Sequence, residues 1–117
     1  MIKIAVAAIG GVLSSKIPDL FKEATHLLLM DGETGSLLLV YSVEEEAEVL
    51  DSSMLLADKT VEWDCEAILC GELEANPFSV LAEKNSVTRY MAAGLTVEEA
   101  VRKMNQYQLY FLDEHIS

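Results

Sequence analysis

Residues 2–9 read IKIAVAAI, an almost uninterrupted apolar run rich in Ile and Val, closed by Gly10 and Gly11. A strand with one wet face alternates apolar and polar residues. A run without alternation fits a strand covered on both faces, in the middle of a sheet. The segment is too short to span a bilayer. It also lacks the longer apolar stretch and cleavage site of a secretory signal.

Working outward, residues 13–23 (LSSKIPDLFKE) mix polar residues with Pro18 and have no clean period, so a loop with at most one helical turn is expected. Residues 25–30 (THLLLM) and 36–41 (SLLLVY) flank DGETG, whose glycines at 32 and 35 suit a β-hairpin turn. Residues 44–48 (EEEAE) are read as a solvated acidic run. From 51 to 63 the period turns helical. Leu50, Met54, Ala57 and Val61 fall on one face, and Asp51 or Ser52 can cap the start. Ala67–Cys70 (AILC) is a second short buried strand, ended by Gly71.

Asn76-Pro77 predicts the next helix start, with Phe78, Leu81 and Ala82 inward and Asn85 as the stop. Val87–Tyr90 follows as a strand. Thr96 and Glu99 form a capping box for a last helix whose apolar face is Val97, Ala100, Val101 and Met104. For the tail from Tyr107 a strand, a helix extension and a frayed end all remain open. The order β, hairpin, α, β, α, β, α predicts one α/β domain over 1–117. Its mixed five-stranded sheet would combine an antiparallel hairpin with parallel strands, flanked by three helices.

Composition narrows the function. The chain has 117 residues, 51% apolar, enough for one core, and a formal net charge of -12. Nucleic-acid binding draws its affinity from Lys and Arg on phosphates, and an anionic membrane asks for the same charges. With 8 basic residues and no basic run, neither partner is expected. Cys65 and Cys70 are the only cysteines, and their spacing is not that of a zinc or iron–sulfur motif. A disulfide scaffold is unexpected in so core-rich a chain, and the cytoplasm is the expected compartment.

Four stretches, in order, carry a likeness to one family: MIKIAVA at the amino end, ATHLLLMDGETG, AILCGELEANPFSVL and AAGLTVEEAVRKM. Together they make the chain resemble the dinitrogenase iron-molybdenum cofactor biosynthesis domain family. That resemblance implies a ribonuclease H-like fold and a place in the metal-cluster chemistry of nitrogen fixation. It implies an iron-molybdenum or iron-sulfur type cluster as ligand and a protein partner in cluster assembly. The family commonly carries His-Phe-Gly before its second strand, where the histidine is thought to help hold the cofactor. Here those positions are Leu20, Phe21 and Lys22, so Phe21 is kept and the ligand is not.

Candidate site residues follow. Cys70 ends a buried strand beside Gly71, where ligands collect in open α/β sheets, and a thiolate suits iron. His26 could substitute for the missing histidine. Each has a plainer reading: Cys70 as a small core residue, His26 as a hydrogen-bonded sheet residue. The expected pocket joins loop 10–23, Cys70–Ala75 and the 91–95 turn, lined by Phe21, Cys70 and Gly71. Trp63, Tyr107, Tyr110 and Phe111 are expected in core or dimer packing, so a homo-oligomer is a candidate state.

A nuclease on this scaffold needs several carboxylates around metal ions. Neither Ile2–Ile9 nor Ala67–Cys70 contains Asp or Glu, so catalysis is not expected. Two functions lead, ahead of a small-molecule enzyme: a non-catalytic binding or carrier module for a metal–sulfur cluster, and a metal-free interaction or regulatory domain that has lost the cofactor ligand.

Overall fold

The computed structural model describes residues 1–43 and 51–116. The acidic run at 44–48 and Leu50 lie outside the described residues. The strands are β1 (Lys3–Ala8), β2 (His26–Asp31), β3 (Leu37–Ser42), β4 (Ala67–Cys70) and β5 (Thr88–Met91). The helices are α1 (Ser52–Glu62), α2 (Ala75–Phe78, continued as a wider π-type turn over Ser79–Lys84) and α3 (Val97–Asn105). The sheet order is β3-β2-β1-β4-β5. β1 is therefore central, antiparallel to β2 and parallel to β4, as its unbroken apolar run requires.

Both faces of the sheet are covered. On one face Ala5, Ala7, Leu27, Ile68 and Cys70 pack with Leu56 of α1 and Phe78 and Leu81 of the α2 region. On the other, Ile4, Val6, Ala8, Leu28 and Leu69 meet Val97, Ala100 and Val101 of α3. Thr96 and Glu99 make the expected capping box, with Thr96 Oγ1 accepting from Glu99 N at 3.1 Å and Glu99 Oε1 from Thr96 N at 3.0 Å.

Two helices differ in detail from the pattern reading. α1 is capped by Asp51 and buries Ala57 as expected, but with it Ser53, Leu56 and Thr60 rather than Met54 and Val61. Small hydroxyl residues can face the core there because their polar atoms are satisfied nearby. Thr60 Oγ1 donates to Leu56 O at 2.8 Å, and Ser53 Oγ to Asp51 Oδ1 at 2.7 Å. α2 begins at Ala75, with Glu74 in the cap position, so Asn76 and Pro77 lie inside its first turn. Proline costs no bond there either, because first-turn N–H groups lack intrahelical partners. No helix among the described residues is long and apolar enough to cross a membrane.

The tail resolves into an edge seal. Met91 N donates to Tyr110 O and Leu112 N to Arg89 O, both at 2.8 Å, so residues 110–112 lie along the outer edge of β5. The tail aromatics are not core: Tyr107 is 96%, Tyr110 83% and Phe111 59% exposed. Trp63, by contrast, packs against buried residues on the α1 side.

Candidate functional site

In an open α/β sheet, a crevice forms where the chains leaving two neighbouring parallel strands turn in opposite directions. Here the chain leaves β1 toward β2 and leaves β4 toward β5, so the crevice lies at the ends of β1 and β4. The three segments expected to form the pocket do converge there, and they fill one another. Ile9 N donates to Lys16 O at 2.8 Å, Ile17 N to Leu95 O at 2.9 Å and Gly94 N to Ile17 O at 2.9 Å. Farther along, Glu72 N donates to Asp19 O at 2.9 Å and Phe21 N to Glu72 O at 2.8 Å. Residues 16–21 are thus a strap laid across the crevice.

Gly71 is the floor under that strap. A Cβ built on it would lie 2.3 Å from Pro18 O and 2.4 Å from Asp19 O. The glycine is required by a close backbone approach, not by an approaching ligand. Phe21, 1% exposed, anchors the strap in the core. Leu20 and Lys22 flank it, Lys22 Nζ reaching Glu74 Oε1 at 3.7 Å on the surface.

Cys70 is fully buried among Ala7, Phe21 and Leu73, and burial pushes its thiol well above the ordinary cysteine range. Cys65, also buried, is pushed up to about 11 by the same cause. Neither supplies a thiolate to solvent near neutral pH. Of the residues expected to line a ligand pocket, Phe21 and Cys70 thus lie in the core and Gly71 in a close backbone contact beneath the strap. Three cavities of about 200–260 Å³ open elsewhere on the described surface, and none has Phe21, His26, Cys70 or Gly71 in its lining.

His26 is placed differently. It starts β2, opposite Ala8 at the end of β1. Side chains alternate along a strand, so His26 shares the α3 face with Leu28, while Cys70 belongs to the other face. The sheet stands between them, and they cannot share one metal. The imidazole is half-buried, and Gly11 lies against it. A Cβ on Gly11 would meet Val40 Cγ1 at 2.9 Å and His26 Cδ2 at 3.3 Å. Val12 and Ile9 beside it in the chain are 59% and 53% exposed. His26 Nδ1 and Thr25 Oγ1 are 2.8 Å apart. When Nδ1 carries the proton it donates to that hydroxyl and leaves a lone pair on Nε2.

Sequence reasoning missed Thr25 as the partner that orients the ring, although a hydroxyl beside a histidine is a readable signal. It also missed Gly11 and Val40, because that contact depends on strand register. Among the described residues no three His, Cys, Asp or Glu side chains come together as a metal set. The donors present do not fit a cluster bolted to the chain by several cysteines.

The profile of the family described as dinitrogenase iron-molybdenum cofactor matches residues 1–107. The chain belongs to that family. Among solved structures it is similar to the apo form of the orange protein from Desulfovibrio gigas. Identity there is 19% and the TM-score 0.84, covering 100% of this chain and 98% of that one. A candidate NifB protein from Thermotoga aligns at 24% identity and TM-score 0.79, again over 100% and 98%. A candidate dinitrogenase from Methanocaldococcus jannaschii aligns at 17% identity and TM-score 0.65, over 97% and 99%. At such identities these likenesses show the fold alone. No curated protein matches the chain.

Proposed function

We propose that this member of the iron-molybdenum cofactor family is a non-catalytic carrier that holds a preassembled metal–sulfur cluster as cargo. The site is the surface formed by loop 10–14, His26 and Val40. One observation carries the reading: His26 is an imidazole at the carboxyl end of the central strands that the core does not seal, and Thr25 lies in position to orient it. Imidazole nitrogen is a suitable ligand for iron. A cargo that brings its own sulfides needs few protein donors, which agrees with the lack of a multi-ligand set among the described residues. The apolar side chains of Val12 and Val40 would shield the cargo from water. The lack of Asp and Glu within β1 and β4 and the sealed Cys70 support holding rather than chemistry.

The test is anaerobic reconstitution with iron, molybdate and sulfide, read by visible absorption and metal content after gel filtration. Wild type and Cys70→Ala should retain a stoichiometric chromophore, and His26→Ala should lose it. Retention by His26→Ala would remove the site. No chromophore in the wild type would favour the second reading, a metal-free interaction domain, for which Leu20 and Lys22 at the family's His and Gly positions speak.

A further inference from the structure

At the amino ends of β1, β4 and β5, the end of the sheet away from His26, the α3 face is recessed. The first cross-strand row there is Ile4, Ala67 and Thr88, and the next is Val6, Leu69 and Tyr90. Ala67 and Thr88 are shorter than the Leu69 and Tyr90 that follow them on the same face, so the first row leaves a hollow. Met104 and Asn105 of the last turn of α3 border it, and a cavity of about 240 Å³ remains.

Two features set this hollow apart from a simple gap in packing. The first is aromatic. Tyr107 lines the cavity, yet it is 96% exposed and stands at φ +58°. That left-handed position ends many helices and ordinarily falls to Gly or Asn, because a larger side chain crowds the following carbonyl. The chain thus holds a large ring in solvent, at a cost in backbone energy, where glycine would serve the helix better. Tyr90 supplies a second ring to the lining, and Phe111 lies against it with ring centroids 5.1 Å apart.

The second feature is charge. Glu66 carries the only formal charge in the lining. No ion pair engages it among the described residues. Lys3, whose carbonyl accepts from Glu66 N, spends its own Nζ on Trp63 O at 3.3 Å. Asn105 Nδ2 donates to Gly32 O at 2.8 Å, which fixes the amide and leaves Oδ1 as an acceptor. An apolar floor, two aromatic rings, a carboxylate and an amide oxygen, with no Lys, Arg or His, make an electron-rich setting that suits a cation with an apolar body. An anion would meet Glu66 in a chain already at net charge -12.

We propose that this cavity binds a small organic cation, an ammonium or guanidinium on a flat or aliphatic body. The body would lie over Ala67 and Met104, the charge beside Glu66 and Asn105, with the rings of Tyr90 and Tyr107 at its flanks. The cavity is smaller than the pockets that take drug-sized molecules, so the ligand is small as well. The site lies at the opposite end of the sheet from the proposed cargo surface and does not rest on the carrier reading.

The probe is 2-phenylethylammonium, compared with 2-phenylethanol and 3-phenylpropionate, which are similar in size but neutral and anionic. Each is titrated into isotope-labelled protein and followed by nuclear magnetic resonance. The ammonium should shift the amides of Ala67, Thr88 and Asn105 saturably, more weakly as salt rises, and should bind about tenfold tighter than the alcohol, with the propionate weakest. Glu66→Gln removes the charge at nearly constant shape. Tyr107→Gly removes the ring and also relieves the positive φ, so it should melt no lower than wild type while binding less well. Each should weaken the ammonium about threefold to fivefold, because exposed ion pairs and exposed cation–π contacts are both modest. Equal binding of the ammonium and the alcohol overturns the proposal, as does unchanged affinity in either variant. So does the lack of a saturable shift at those amides up to about 10 mM ammonium, an affinity too weak for a site.

Discussion

Gly71→Ala puts a single methyl group where the strap crosses β4. The new Cβ would stand 2.3 Å from Pro18 O, 2.4 Å from Asp19 O and 2.6 Å from Asp19 C. All three are backbone atoms, so no side chain can rotate away. The strap must lift by about 1 Å to restore ordinary contact distances near 3.5 Å. Lifting it strains the bonds from Glu72 N to Asp19 O and from Phe21 N to Glu72 O, at 2.9 and 2.8 Å. Overpacking costs about 1–3 kcal/mol, and each weakened hydrogen bond adds about 1 kcal/mol. The sum, about 3–5 kcal/mol, is a large part of the stability of an ordinary domain. A chain of this size should lose roughly 10–20 °C in Tm. Urea unfolding followed by far-UV circular dichroism and Trp63 fluorescence measures it. Gly94→Ala is the control: its φ is +85° and its Cβ would meet nothing within 4 Å, so it should lose only about 1 kcal/mol of backbone preference. A Gly71→Ala protein as stable as wild type, or no worse than Gly94→Ala, would refute the strap as described.

Thr96→Ala removes one half of the capping box on α3 and should cost about 1 kcal/mol in the same urea experiment. Cys70 should react with an aromatic disulfide reagent only at the rate of unfolding, whereas it should react at once in denaturant; stopped-flow absorbance distinguishes the two. The buried thiols also set an alkaline limit. Their folded pKa values lie above the unfolded value, so the unfolded chain loses protons first as pH rises. Their contribution to stability is complete below an unfolded pKa of about 8.5 and falls as pH climbs from there. For Cys65 the fall continues to about 11. Urea midpoints should decline over that range, and Cys65→Ala should flatten the decline. A midpoint that rises with alkalinity would contradict the burial.

The central strand was legible because its burial on both faces leaves a mark no other element leaves: an apolar run without alternation. The cap of α3 was legible because Thr96 and Glu99 act locally, three residues apart. The strap was not, since residues 16–21 are held by Glu72, Leu95 and Thr96, far away in sequence, and have no period of their own. Gly71 was legible as a glycine at a strand end, but the close approach it permits was not. The carbonyls that demand it belong to Pro18 and Asp19, invisible without the fold. The opposite facing of His26 and Cys70 follows from register between strands, which a single sequence does not contain. In α1, Ser53 and Thr60 hid the inner face because an apolar count cannot see hydroxyls satisfied by their own turn.

The carrier reading is tested most directly by nuclear magnetic resonance on isotope-labelled protein, titrated without air with a cluster assembled from iron, molybdate and sulfide. The account predicts shifts or paramagnetic broadening confined to Gly10–Ser14, Thr25, His26 and Val40, with the Cys70 and Leu73 amides unmoved. Perturbation centred on Cys70 and Phe21, with His26 unchanged, would contradict it.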